Sequence, residues 1–200
     1  TGLTTLVIPQ TVETVELSSF AGCENIASLT VPFTDLIGHM FGARPTSDNS
    51  KYIPQTLRTL VITSAVRIGQ GDLSGCDNLE SLTLPFIGEY ENGSGATYLG
   101  YIFGSPSIQF SSQCIPQTLK TLIITGGTCI GEEALSGCSS LTSLYLPKSL
   151  TSLDYKALYG CSSVKDIYYA GTEEEWNAIE KGYSWQPSRD GYVIHYESEA

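Results

Sequence analysis

The sequence predicts an α/β repeat fold: a leucine-rich-repeat solenoid of about seven rungs, with a strand sheet on one face, short helical or 3-10 turns on the other, and a C-terminal cap. Two observations carry this. A strand cassette, Leu-x-x-Leu-x-Leu, recurs at residues 3–8, 26–31, 57–62, 79–84, 119–124, 141–146 and, degraded, 164–169, and Pro9, Pro32, Pro85 and Pro147 close four of the copies. The middle apolar residues, Leu6, Leu29, Leu60, Leu82, Leu122, Leu144 and Ile167, are spaced by 23, 31, 22, 40, 22 and 23 residues. A period near 22–23 with this strand pattern is the signature of a leucine-rich solenoid. Each unit buries its apolar side only by stacking on a neighbour, so the chain reads as one quasi-linear body.

Two kinds of rung alternate. The short kind, Ile-Gly-x-x-x-Leu-Ser-Gly-Cys-x-x-Leu-x-Ser-Leu-x-Leu-Pro, stands at residues 68–85 and 130–147, with variants at 15–32 and 153–170. The stretches before each Gly-Cys (18–21, 71–74, 132–136 and 155–159) are too short for independent helices, so they are expected as single helical or 3-10 turns closed by Gly. The long kind carries Ile-Pro-Gln-Thr-Leu before its strand, at residues 53–57 and 115–119. Two insertions, 33–52 and 86–114, lengthen these rungs. Both begin Pro-Phe and contain Phe-Gly (Phe41-Gly42 and Phe103-Gly104), which marks two versions of one element. Loops of this length are functional or disordered as a rule. The solenoid is expected to span 1–170, with a cap over 171–200. Thr172 and Glu175 form a capping-box pattern before Trp176 and Ile179, and residues 193–196 read as a closing strand. Thr1 opens inside a repeat. That predicts a longer parent chain and, without upstream rungs, an edge open to self-association.

Cys23, Cys76, Cys138 and Cys161 each follow Gly in one phase of the repeat, which predicts a stack of buried, reduced thiols. Cys138 and Cys161, on successive rungs, are the pair that could approach disulfide distance. Cys114 and Cys129 fall outside the phase. The sequence has no CxxC spacing and two histidines, His39 and His195, so no zinc site is expected. Neither histidine shows a nucleophile-triad context, and no phosphate loop is present. Catalysis, cofactors and metals are therefore not expected. A net charge of -11 argues against nucleic acid. No apolar run approaches the ~20 residues needed to span a bilayer.

What remains is surface. Alternation along each strand sends leucines inward and the intervening residues outward. One outward stripe is Thr5, Ser28, Thr59, Ser81, Thr121, Ser143 and Asp166; the other is Val7, Thr30, Val61, Thr83, Ile123, Tyr145 and Tyr168. Such residues are ordinary for an exposed sheet. As a binding face they would be anchored by Tyr145 and Tyr168 and flanked by Thr30, Val61, Thr83, Ile123, Ser143 and Asp166.

The repeated Gly-Cys-x-x-Leu-x-Ser-Leu-x-Leu-Pro and the ending Tyr-Tyr-Ala-Gly-Thr-Glu-Glu-Glu-Trp-Asn-Ala-Ile (168–179) resemble the BspA-type leucine-rich repeats of bacterial surface proteins. The departures are Thr63, Thr125 and Ala170 in place of the strand-closing Pro, and the two insertions. The resemblance implies an extracellular, cell-surface or cell-wall location, adhesion to a host or partner protein, and no known catalytic activity. The expected function is thus an interaction module using the strand face and the insertion loops. The alternatives are a glycan-binding module and a structural spacer of a larger surface protein.

Overall fold

The computed structural model describes residues 2–32, 37–44, 49–93, 95–188 and 191–197. Within them the chain forms β1 (Thr5–Val7), β2 (Ser28–Val31), β3 (Thr59–Ile62), β4 (Ser81–Leu84), β5 (Thr121–Ile124), β6 (Cys129–Ile130), β7 (Ser143–Leu146), β8 (Ser152–Leu153), β9 (Asp166–Tyr169), β10 (Glu180–Lys181) and β11 (Val193–Tyr196). Eight of these make one parallel sheet in the order β1-β2-β3-β4-β5-β7-β9-β11, and β10-β8-β6 make a second, three-stranded one. The first seven strands of the large sheet are the seven cassettes, and β11 adds an eighth position. This is the α/β repeat solenoid that the leucine spacing predicts.

Register follows from the cassette. Leu6, Leu29, Leu60, Leu82, Leu122, Leu144, Ile167 and Ile194 are successive cross-strand partners. The six from Leu29 to Ile167 have no solvent exposure. Each such side chain contributes about 1.5–3 kcal/mol on burial, and a one-residue slip would turn the whole row outward. The missing strand-closing prolines are also accounted for. The amides of Thr63, Thr125 and Ala170 bond to the carbonyls of Val31, Leu84 and Leu146, bonds that proline cannot make.

The Ile-Pro-Gln-Thr-Leu motif is a staple between rungs. Thr56 Oγ1 donates to the carbonyls of Glu24 (2.8 Å) and Ile26 (2.9 Å), and Thr118 Oγ1 to those of Asp77 (3.3 Å) and Leu79 (2.7 Å). Gln55 and Gln117 tie back to the preceding turn through the carbonyls of Ser50 and Ser112. The same motif therefore closes the same gap twice.

The opposite side differs from expectation. The stretches before Gly-Cys are hydrogen-bonded turns, not helical ones. Ser18, Gly71, Glu133 and Lys156 all have positive φ, and so do Gly22, Gly75, Gly137 and Gly160 four residues later. A left-handed residue at each end stops a helix from propagating. The amides bond to the next rung instead: Glu133 and Leu135 to the carbonyls of Tyr155 and Ala157, Lys156 and Leu158 to those of Tyr183 and Trp185. At Gly75 the glycine is required on space as well, since a Cβ there would sit 2.6 Å from the Ser50 amide nitrogen.

The described parts of the insertions include the return halves of their own rungs. α1 (Ile37–Met40) accepts from Ser18 and Phe20 through the carbonyls of His39 and Met40, and donates from Ile37 to Asp72. α2 (Leu99–Ile102) accepts from Gly71 and Leu73 through Tyr101 and Ile102, and donates from Leu99 to Ala134. The two are equivalent elements. Ile37, Met40, Phe41, Leu99, Ile102 and Phe103 are buried core residues. The short α3 (Ser111–Cys114) packs on α2 where Gly100 allows it: a Cβ there would lie 2.5 Å from Ser111 Cα, and the Gly100 amide donates to Ser111 Oγ at 3.0 Å. The Arg44–Ser50 tip falls partly, and the Phe33 start wholly, outside the described residues.

Cys76, Cys138 and Cys161 are buried as the phase predicts, but Cys23 is half-exposed. Its turn is covered by α1 on one side, whereas the others are packed between two rungs. No disulfide joins cysteines among the described residues. The last rung is closed by α4 (Glu173–Ala178). The Thr172 hydroxyl accepts from the Glu175 amide, and the Glu175 carboxylate accepts from the Thr172 amide at 2.9 Å. Trp176 meets Tyr169 and Trp185 edge-on, at 5.4 and 5.7 Å between ring centroids.

Candidate functional site: an aromatic row on the strand face

Parallel in-register pairing turns every outward position into a continuous row across the sheet. The row through Val7 runs Thr30, Val61, Thr83, Ile123, Tyr145, Tyr168 and His195 as direct neighbours. Its last three members are planar and lie face to face. Tyr145 and Tyr168 are 4.4 Å apart at 9°, and Tyr168 and His195 4.5 Å apart at 15°. The neighbouring row places Ser143, Asp166 and Val193 side by side. Asp166 Oδ1 lies 2.8 Å from His195 Nε2, so the carboxylate and imidazole hold the end of the row in place.

These rings wall a groove of about 480 Å³ over the C-terminal ends of the last strands. Leu146, Pro147 and Ala170 supply its floor, with Ile123, Tyr145 and Tyr168 on the row itself. Thr30, Val61, Thr83, Ser143 and Asp166 share the face but stand outside the groove. One rim carries Lys148, bonded to Glu175 at 2.9 Å. That contact holds the Glu175 carboxyl below, and the Lys148 amine above, their ordinary ranges. The Tyr168 phenol is pushed up by loss of solvent beside its neighbours, and further by the charge of Asp166.

His195 is the residue that sequence reasoning placed in the terminal cap instead of on this row. The signal was its phase: Val-Ile-His-Tyr (193–196) repeats Asp-Ile-Tyr-Tyr (166–169), with Ile194 in the place of Ile167. Tyr98 and Tyr101 of the second insertion face each other edge-on at 6.0 Å and do not line the groove, and Phe103 is core. Among the described residues no three His, Cys, Asp or Glu side chains converge to hold a metal ion. No helix there is long and apolar enough to cross a membrane.

A family model described as the BspA type leucine-rich repeat region matches in six copies, over residues 1–43 and 107–181. Among solved structures the chain is similar to a leucine-rich repeat protein from Bacteroides ovatus ATCC 8483, at 18% identity and a TM-score of 0.36 over 94% of this chain and 50% of that one. It is also similar to a leucine rich cell surface protein from Faecalibacterium prausnitzii A2-165, at 18% identity and a TM-score of 0.34 over 88% of this chain and 35% of that one. The chain thus spans half or less of either relative. No curated protein matches it. Six matched copies over more than half of the residues, built on the strand cassettes of the sheet and the Gly-Cys turns opposite it, make this chain a member of the BspA-type leucine-rich repeat family.

Proposed function

We propose that the chain is an extracellular, cell-surface interaction module that binds a partner protein through its strand face, with Tyr145, Tyr168 and His195 as the anchor. The family supports a surface or protein-interaction module in general terms. The observation that carries the finer reading is the aromatic row beside its groove. Upstream rungs fill the same outward position with Val7, Thr30, Val61, Thr83 and Ile123 and fold equally well. Folding therefore does not require tyrosine there, whereas buried aromatic anchors beside a groove are what interfaces use.

The row also favours a protein over a sugar. Both faces of the Tyr168 ring are covered, by Tyr145 on one side and His195 on the other. Ring edges and hydroxyls point out of the sheet. A pyranose stacks on a ring face, and Tyr168 has none to offer, while apolar side chains of a partner can pack along the edges.

The test is a binding screen of the folded chain against extracellular-matrix proteins, repeated with Tyr145→Thr plus Tyr168→Thr. Thr30 and Thr83 show that threonine fits this position. A saturable hit weakened by the pair about ten-fold or more, as expected for loss of a hot spot, supports the reading. A hit left unchanged moves the partner off this face.

A further inference from the structure

The repeat contains its own control for the opposite side of the molecule. The residue before each left-handed turn position is Leu17, Gln70 and Glu132 in earlier rungs, then Tyr155 and Tyr183 in the last two. The residue before the turn glycine is Ala21, Ser74 and Ser136, then Tyr159. Backbone bonds from Glu133 to Tyr155 and from Lys156 to Tyr183 fix this equivalence. Three tyrosines thus replace residues that the fold accepts as Gln, Glu or Ser, and they do so on one exposed patch.

The patch offers what the strand face lacks. Tyr183 is 81% exposed and lies parallel to Tyr155 at 6.3 Å and 13°, so its far ring face looks into solvent. Lys156 Nζ sits 4.9 Å from the Tyr155 ring and 5.2 Å from the Tyr159 ring and is paired with Glu133 at 3.6 Å, so the cation among these rings has its counter-charge at hand. Beside it runs a groove of about 360 Å³ lined by Tyr159, Ser184, Gln186, Pro187 and Ser188. Its polar groups are a neutral amide and neutral hydroxyls. An open aromatic face next to neutral donors and acceptors matches the two sides of a sugar ring: C–H bonds on one face and hydroxyls around the edge.

We infer that this patch binds a neutral saccharide, with a pyranose ring on the open face of Tyr183 and its hydroxyls meeting Gln186 and Ser184. The site is separate from the strand-face row and does not depend on it. The probe is an array of defined neutral oligosaccharides, followed by NMR titration of the isotope-labelled chain with any hit. The diagnostic variant is Tyr183→Gln plus Tyr159→Ser, the residues that Gln70, Ser74 and Ser136 already hold in other rungs, so the fold is preserved. Saturable binding is expected, with shifts at the Tyr183 and Gln186 amides. The double variant should weaken it about ten-fold or more, and Tyr145→Thr plus Tyr168→Thr should leave it unchanged. Silence across the array from folded protein overturns the inference. So does sugar binding that survives Tyr183→Gln plus Tyr159→Ser, or a loss in that variant confined to a protein partner.

Discussion

Thiol accessibility is the property that single residues of this repeat settle most directly. Burial pushes the Cys76 thiol up to about 12. The Cys138 thiol is held protonated by its hydrogen bond with Cys161 and by burial, while Cys161 Sγ donates to the Leu135 carbonyl at 3.1 Å. The thiolate is the reacting species, so Cys76 and Cys138 are protected twice, by cover and by charge, and Cys161 by cover. Cys23, Cys114 and Cys129 are half-exposed. Cys129 is also held protonated, by partial burial and by its bond to Asp154. In a native alkylation time course, Cys23 and Cys114 should react first and Cys129 more slowly. Cys76, Cys138 and Cys161 should react only on unfolding. Fast native labelling of any of the last three would show that the Gly-Cys turns open locally. The repeat phase revealed three of these burial states from sequence. It missed Cys23, because phase says which way a side chain points and not how many rungs cover it.

Among the elements, α4 has the most explicit local logic. Six residues cannot hold a helix by propensity, so the reciprocal Thr172–Glu175 bonds and the Lys148–Glu175 contact must supply what chain length does not. Thr172→Ala should cost about 1 kcal/mol in denaturant melts, the usual worth of an N-cap. The pH dependence has a definite sign. The Glu175 carboxyl is lowered in the folded state by Lys148 and the Thr172 amide, so its stabilisation is complete above the ordinary glutamate value of about 4.3 and is lost as pH falls through the lowered one. Glu175→Gln should therefore weaken the cap at neutral pH and converge on the parent protein in acid. An acid-insensitive gap would mean that Glu175 acts through packing. The capping box was legible in sequence because both partners lie within four residues. The turns before Gly-Cys were not, because alternate amides in them bond to partners twenty or more residues away and local propensity does not see those partners.

At the scale of the whole molecule, the period does most of the specifying. Once Leu6 to Ile167 are in phase, every outward residue acquires a cross-strand neighbour, and the row ending in Tyr145 and Tyr168 could be written from spacing alone. The phase also held the place of His195, but a 27-residue step from Ile167 to Ile194 and a degraded cassette hid it. The shared Pro-Phe and Phe-Gly motifs made the insertions legible as one element, but length alone did not show that α1 and α2 complete the return halves of their rungs. Charge follows a different rule from shape. The chain carries -11 overall, yet the described outward positions of the eight-stranded sheet hold one carboxylate, Asp166, which is hydrogen-bonded to His195. The acidic surplus sits elsewhere, on turns, strand-flanking positions and α4. A partner seated on the aromatic row should therefore feel little of the molecule's field, since exposed charges beyond a Debye length of about 10 Å are screened. Its affinity should change by less than about three-fold between roughly 0.05 and 0.5 M salt, with association unsteered by charge. A steep fall in affinity with salt would put the partner on the acidic flanks, and the tyrosine row would then be a folding feature of the last rungs.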